Sequence, residues 1–308
     1  MCGILQSEQK QEGECTVYLS YVDLHTHTSC SDGALSPEKL AAKAEEAKLR
    51  MLAITDHNTA TPIEELQKNH PLIHFVQGSE ISCLYTDSAG KDHELHVVAL
   101  GFDPQNPQMQ ILFAQNRQDR RPYIHAILEK LKLQGISVGT YEDLEAASDS
   151  SSHFGRMIIA RRMVEKGYVK TVNEAFDLYL GAHGQRRAYV PNPLRYVHLE
   201  QAVSAIRAAG GVPVLAHLYY YQLPLEENHR LIGYFRHLAG RDAAMETEYG
   251  LYDEEQRQQL RQLADMYGLM HSCGSDYHGQ NPDETLEHGF EAWQCEPLVR
   301  RLWRENVW

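Results

Sequence analysis

Val22-Asp23-Leu24-His25-Thr26-His27-Thr28 closes the first β-rich run of the chain. In extended backbone, residues two apart point to the same side, so His25 and His27 can converge on one ion. An isolated His-x-His is a weak signal, and the ends of the other β-rich runs give it weight. Residues 51–55 lead into Asp56-His57, residues 73–80 end in Gly78-Ser79-Glu80, and residues 212–216 lead into His217. Residues 270–275 lead into Asp276-Tyr277-His278-Gly279, residues 94–100 carry His96, and Asp32 follows the first run in Ser31-Asp32-Gly33. His96 is preferred over its neighbour His93.

With residues 18–23 and 243–246, these make seven strand candidates, and helical patterns fit between most of them. Ser36 is an N-cap with Pro37 at the first helical position, on a helix reaching about residue 48. Residues 199–209 and 253–267 are helical and stop at Gly210-Gly211 and Gly268. Strand–helix alternation implies a parallel sheet, and a barrel of about seven parallel strands would bring every strand end to one mouth. The alternation breaks between Phe102 and His198, where helical patterns at 107–134 (split or kinked at Pro122), 141–147, 155–166 and 171–180 read as an insertion. The expected organisation is a tail at 1–20, a barrel from 21–102 and 199–308, and a helical cap at 103–198 between the fourth and fifth strands.

The chain has 308 residues, enough to bury a core without disulfides. Its 29 Lys+Arg against 42 Asp+Glu leave a formal charge of −13, which disfavours duplex DNA and anionic membrane surfaces as partners. Seventeen histidines point to metal chemistry. The start of the chain reads as no signal peptide and no run reads as membrane-spanning, so the six scattered cysteines are expected to be reduced thiols in a cytoplasmic protein. The histidines and acids gathered at one mouth exceed what a single tetrahedral ion needs. Carboxylates so grouped call for cations, and nitrogen and oxygen donors without thiolate suit Mn, Fe or Zn.

The same segments, in order from Asp23-Leu24-His25-Thr26-His27 to Gly274-Ser275-Asp276-Tyr277-His278-Gly279, resemble the motifs of the PHP (polymerase and histidinol phosphatase) superfamily. The resemblance is nearest to its nucleoside 3′,5′-bisphosphate phosphatase and 5′-to-3′ exoribonuclease branch. It implies an α/β fold, a distorted seven-stranded TIM-like barrel, with three divalent metal ions. Carried over by position, His25, His27, Glu80 and Asp276 would hold one ion. Glu80 would bridge to a second, completed by His96 and His217, and Asp32, His57 and His278 would hold the third. Glu80, His217 and Asp276 are the candidate catalytic groups, with metal-activated water attacking phosphorus in line. Gly155-Arg156-Met157-Ile158-Ile159-Ala160-Arg161 resembles the family's Gly-Arg-Pro-His-x-Ala segment, making Arg156 and Arg161 candidate substrate phosphate clamps. Met157 and Ile158 replace the family Pro and His there, and Leu218 stands where Pro commonly follows the strand-five His.

The function expected is hydrolysis of phosphate esters of small substrates, foremost nucleotides. Alternatives are 5′-to-3′ trimming of short RNA, cyclic-phosphate diester hydrolysis, amidohydrolase-type C–N hydrolysis, and a non-catalytic metal-binding module. Asp56 is read as orienting a His ligand, and of Glu246 and Glu248 one is read as outer-shell and the other as structural. Tyr219-Tyr220-Tyr221 either stack a base or pack a loop. Arg117, Arg120 and Arg121 read more simply as a solvated helix face than as an anion-attracting rim.

Overall fold

The computed structural model describes residues 21–116, 121–146, 155–181, 184–191, 196–279, 286 and 289–305. Its sheet comprises β1 (Tyr21–Thr26), β2 (Met51–Ile54), β3 (His74–Thr86), β4 (Asp92–Leu100), β5 (Val212–Leu215), β6 (Ala244–Tyr249), β7 (Met270–Gly274) and β8 (Phe290–Glu291). The strand order is β7-β6-β5-β4-β3-β2-β1-β8. The sheet curls until its far ends meet beyond β7 and β1. There Asp276 N–H donates to His25 O and His27 N–H to Tyr277 O, both at 2.9 Å. The result is the α/β, TIM-like barrel class expected from the sequence.

Two expectations about the sheet are corrected. An eighth strand, β8, pairs antiparallel with β1 through only two residues. Moreover, β4 is antiparallel to both β3 and β5, whereas all strands were expected to be parallel. A parallel return needs a crossover of a dozen or more residues, but Asp87–Lys91 is a tight turn. Asp87 Oδ1 accepts from Ala89 N–H and Lys91 N–H, and Gly90 adopts φ 79°. Read from sequence, the two strands end short on either side of this turn, leaving a gap that looks long enough for a crossover.

The β3–β4 register sets two faces. Ser82 lies opposite His96 and Glu80 opposite Val98, while Ile81, Cys83, Leu95, Val97 and Ala99 face the other way into an apolar layer. That layer is covered by α8 (Leu199–Ala208), α9 (Leu225–Ala239) and α10 (Glu254–Tyr267). Inside the barrel, Val22, Leu24, Met51, Ala53, Val76, Val98, Val214 and Ala244 fill the lumen below the mouth. Near-continuous burial explains why β2 and β5 read as unbroken apolar runs. The caps follow the sequence: Ser36 accepts from Lys39 N–H at the start of α1 (Pro37–Glu46), which α2 (Glu64–Asn69) follows after β2, and Gly268 ends α10 at φ 64°.

Between β4 and β5 lie α3 (Pro107–Asn116), α4 (Arg121–Leu133), α5 (Tyr141–Ala146), α6 (Arg156–Glu165) and α7 (Val172–Ala175), which runs on into a π-helical turn at Phe176–Leu180. Among the described residues of this insertion there is no strand. Met109, Leu112 and Phe113 of α3 join the barrel's apolar layer, while Tyr123, Ile127, Leu131, Ile159, Met163 and Leu180 form a cluster of their own. Pro122 sits at the start of α4; Arg117 and Arg120 lie outside the described residues, as does the expected tail at 1–20. No helix among the described residues is long and apolar enough to cross a membrane.

Leu131 is fully buried in the separate helical cluster. Its replacement by Ala is expected to cost about 2–5 kcal/mol of unfolding free energy in denaturant titration. Hydrogen exchange should show the loss of protection centred on α4–α7 rather than on the sheet.

Candidate metal centre

All nine sequence-selected ligand candidates meet at one end of the barrel. Glu80, on β3, is 1 % exposed and is their common neighbour. Its Oε2 lies 3.4 Å from His25 Nε2, 3.2 Å from His27 Nε2 and 3.1 Å from His57 Nδ1. Its Oε1 lies 2.7 Å from His96 Nδ1 and 2.9 Å from His217 Nε2. Asp276 Oδ1 is 3.4 Å from His25 Nε2 and 3.1 Å from His27 Nε2, and those two nitrogens are 3.2 Å apart. Asp32 closes the other side, 3.3 Å from His278 Nε2 and 3.6 Å from both His57 Nε2 and His27 Nδ1.

These spacings fit shared ions better than a hydrogen-bonded cluster. A tetrahedral ion with ligands about 2.0–2.2 Å away separates its donor atoms by about 3.3–3.6 Å, whereas charge-assisted hydrogen bonds close to about 2.7–2.9 Å. The His25, His27, Glu80 and Asp276 donors fall in or near the first range. His96 Nδ1 and Asp276 Oδ1 are also buried without a hydrogen bond of acceptable geometry, despite the neighbours just given. Three sets of donor atoms lie within 4.8 Å of one another: His25, His27, Glu80, Asp276; His27, Asp32, His57, His278; and His57, Glu80, His96. His217 joins through Glu80 Oε1, so Glu80 belongs to two sets and touches a further imidazole.

The electrostatics carry the same demand. Burial raises the Glu80 carboxyl, but His96, His57 and His25 outweigh it and hold it well below the usual range. Burial likewise opposes charge on His25 and His96, yet Glu246 and Glu80 lift the first, and Glu80 and Glu94 the second, well above ordinary imidazole. Burial lowers His278, but Asp32 and Asp276 bring it up to about 10. Carboxylates and imidazoles packed this closely need positive charge between them, from protons or from metal cations.

A surrounding set of side chains aims the donors. Glu246 Oε1 takes the other ring nitrogen of His25 at 2.6 Å, and its Oε2 accepts from His217 N–H at 2.7 Å. Glu248, two residues on, binds Arg261 and Gln294 instead, so Glu246 touches the cluster and Glu248 ties α10 to the sheet. Tyr249 donates to Asp276 Oδ2 at 2.7 Å, which turns Oδ1 toward the histidines. No motif marks Tyr249 in the sequence; its position on β6, three residues beyond Glu246, is the only signal. Asp56 does not reach a histidine as expected. It accepts from Thr28 N–H and from the hydroxyls of Thr28, Ser31 and Thr61, and so shapes the loop that carries Asp32. His93 is held by Asp87 in the hairpin turn at 2.7 Å, away from the cluster.

The backbone is bent to present these groups. His217 (φ 25°), Asp276 (φ 55°) and Asn58 (φ 51°) adopt positive φ without being glycine. Gly274 leaves room for His25, since a Cβ there would stand 2.3 Å from the His25 Cβ.

Above the donors lies a cavity of about 360 Å³. Asp32, His57, Glu80, His96, His217, Asp276 and His278 form its floor; Arg156, Met157 and Phe176 line it from the helices between β4 and β5, and Tyr220 and Leu251 stand at its mouth, 70 % and 71 % exposed. Arg161 is not among the lining residues: its guanidinium donates to the Asp32 carbonyl, tying α6 to the loop after β1. Of the tyrosine run, Tyr221 braces the backbone of β4 and β5 through His96 N–H and Ala216 O, Tyr219 packs on Tyr252, and Tyr220 faces His217.

A family model described as the PHP domain matches residues 23–190. The chain is 35 % identical to a 5′-3′ exoribonuclease of Salmonella typhimurium, over 90 % of this chain and 91 % of that one. It is 30 % identical to a 3′,5′-nucleoside bisphosphate phosphatase of Chromobacterium violaceum, over 93 % and 96 % of the two chains. A Chromobacterium violaceum structure described as an amidohydrolase with bound sulfate superposes with a TM-score of 0.77 and 28 % identity, covering 93 % of this chain and 97 % of that one.

Glu246→Gln keeps the shape but removes the charge behind His25. Metal titration of the purified variant is expected to show affinity weakened about 10–100-fold, with the secondary structure retained.

Proposed function

We propose that this chain, which belongs to the PHP domain family and is a metal-dependent phosphoesterase, hydrolyses phosphate esters of small molecules, nucleotides foremost, at the floor of its cavity. The observation that carries this reading is Glu80, whose two buried oxygens face five imidazoles at 2.7–3.4 Å. His25, His27, Glu80 and Asp276 would hold one divalent ion, Glu80, His96 and His217 a second, and Asp32, His57 and His278 a third. Manganese, iron or zinc suit such nitrogen and oxygen donors. When bound, the ions supply Lewis acidity that lowers the pKa of water and draws charge from phosphoryl oxygens.

The chain's own groups do the rest. Glu246 holds the His25 ring through Nδ1, leaving Nε2 for the floor, and Tyr249 holds Asp276. Arg156 is the clamp for a phosphate remote from the reacting one, because guanidinium matches phosphate oxygens and its side chain lines the cavity. Arg161 holds α6 against the Asp32 loop rather than substrate. Met157 and Phe176 on one side and Leu251 on the other displace water from around a bound ester. The cavity admits one nucleotide-sized ligand, while the charge of −13 disfavours long polyanions. Among the described residues lining the cavity there is no lysine of the kind a C–N hydrolase of the amidohydrolase type uses to bridge metals.

A second reading, 5′-to-3′ trimming of short RNA, is favoured by Tyr220 at the mouth, an exposed ring against which the next base of a strand can stack.

A panel of nucleoside mono- and bisphosphates, cyclic phosphates and short RNA, assayed with metal analysis of the same sample, tests both. Phosphate release restored by Mn²⁺ after chelation is expected, with mononucleotides outpacing an oligonucleotide of the same 5′ end. Asp276→Asn should lose at least about 100-fold in turnover together with part of its bound metal. A metal-replete protein inert on every phosphoester would overturn the reading.

A further inference from the structure

His96 and His217 reach Glu80 Oε1 from neighbouring antiparallel strands, 2.7 and 2.9 Å away. His96 lies on β4, and His217 comes two residues after the end of β5. Val98 pairs with Val214 and Val97 with Leu215, so His96 and Ala216 are the next pair up the ladder. Ala216 N–H donates to His96 O, but at 3.3 Å, so the two strands are parting at this point. A hydrogen-bonded antiparallel pair exchanges two such bonds. Here the reciprocal bond runs through a side chain. His96 N–H donates to the Tyr221 hydroxyl at 2.9 Å, and that hydroxyl donates to Ala216 O at 3.0 Å, with His96 O farther off at 3.3 Å. A phenol oxygen is thus inserted into the ladder where the two histidines leave it.

The chain just beyond β5 builds this insertion. His217, at φ 25°, turns the backbone into a single 3-10 turn, Leu218–Tyr221, which carries the phenol back to the strands. Its ring packs on the apolar layer outside the sheet and lies 5.5 Å from the His217 ring. Ala216 O and His217 N–H belong to one peptide group. Tyr221 holds its oxygen, and Glu246 Oε2 accepts from its N–H at 2.7 Å. Both polar atoms of that peptide are therefore fixed, from β4 on one side and β6 on the other, which holds His217 in its positive-φ conformation. Without the hydroxyl, His96 N–H and Ala216 O are left unpaired, or the strands close to pair them directly. Either change disturbs the two imidazoles, whose rings stand 5.2 Å apart at 79°.

We infer that Tyr221 is a positioning residue for the metal centre. Its hydroxyl replaces a ladder bond between β4 and β5, sets the spacing of His96 and His217, and so governs the grip on the ion they share with Glu80. The inference rests on the three-ion reading given above and assigns this task to an oxygen that bonds to backbone atoms alone. Its removal is therefore felt at one ion and not at the others.

Tyr221→Phe deletes the oxygen and keeps the ring. Chelator competition against Mn²⁺ on the purified chain should show one ion weakened about 10–100-fold and the others unchanged. Tyr219→Phe, which loses only a surface bond to Gln259 Oε1 at 3.2 Å, should bind as the parent does. His96→Ala identifies the ion: adding Tyr221→Phe to it should weaken no further ion, whereas adding Tyr221→Phe to His278→Ala should weaken a second one. Equal weakening of every ion, as a general loosening of the fold would produce, refutes the inference, and so does no weakening at all. If the variant does not fold, the parent decides by amide hydrogen exchange. The His96 amide should then slow about tenfold on addition of Mn²⁺ while that of Val98, two residues down the same edge, does not; equal responses refute the inference. A parent that holds Mn²⁺ but releases no phosphate fails the phosphoesterase reading and leaves this one standing, and a parent that holds no Mn²⁺ ends both.

Discussion

One buried carboxylate organises this molecule. Glu80 sits midway along β3 with almost no access to water, and five imidazoles from β1 and its end, from β4 and from the loops after β2 and β5 converge on its two oxygens. Sequestering a carboxylate is costly unless positive charge surrounds it, so every element that brings a histidine to Glu80 is under a common constraint. The barrel meets it geometrically, because curling the sheet turns separate strand ends into neighbours. The outer groups then fix orientation: Glu246 behind His25, Tyr249 behind Asp276, and Asp56 beneath the loop of Asp32.

Presenting so many charged groups at one point has a conformational cost. His217 and Asp276 both leave the ordinary backbone regions at the moment their strands end, and residues held this way are typically strained by about 1–3 kcal/mol each. The apolar lumen and the helical layer outside the sheet supply the rigidity that keeps them there. Gly274 contributes by what it lacks, since any side chain would collide with His25.

Much of this was legible in the residues. Histidines and acids at the close of apolar runs are an anomaly that a shared site resolves, and the nine residues selected from sequence do come together at one end of the barrel. The barrel class followed from strand–helix alternation. The direction of β4 did not, because a hairpin and a crossover differ only in how far the flanking strands extend, and Asp92 and His93 are polar enough to disguise the strand's start. A partner such as Tyr249 escaped because a tyrosine on a buried element looks like packing; what distinguishes it is that its hydroxyl meets Asp276. Asp56 was misread for a related reason. Sequence proximity to His57 suggested a direct bond, but the carboxylate faces the opposite loop.

The reversed strand has a consequence for how the pocket can diverge. Parallel strands end at the mouth, and beyond them the chain is committed to a loop. The hairpin instead continues upward past the ligands, so Ser82, Glu94 and the residues nearer its tip form a wall above the floor. In an antiparallel ladder alternate residues share a face, so exchanging side chains at every second position resurfaces that wall while the pairing below stays in place. Glu80 and His96 anchor the lower end of the same hairpin. The charged floor and the wall above it therefore share one ribbon at different heights, and the upper part can be exchanged without disturbing the pairing of the lower.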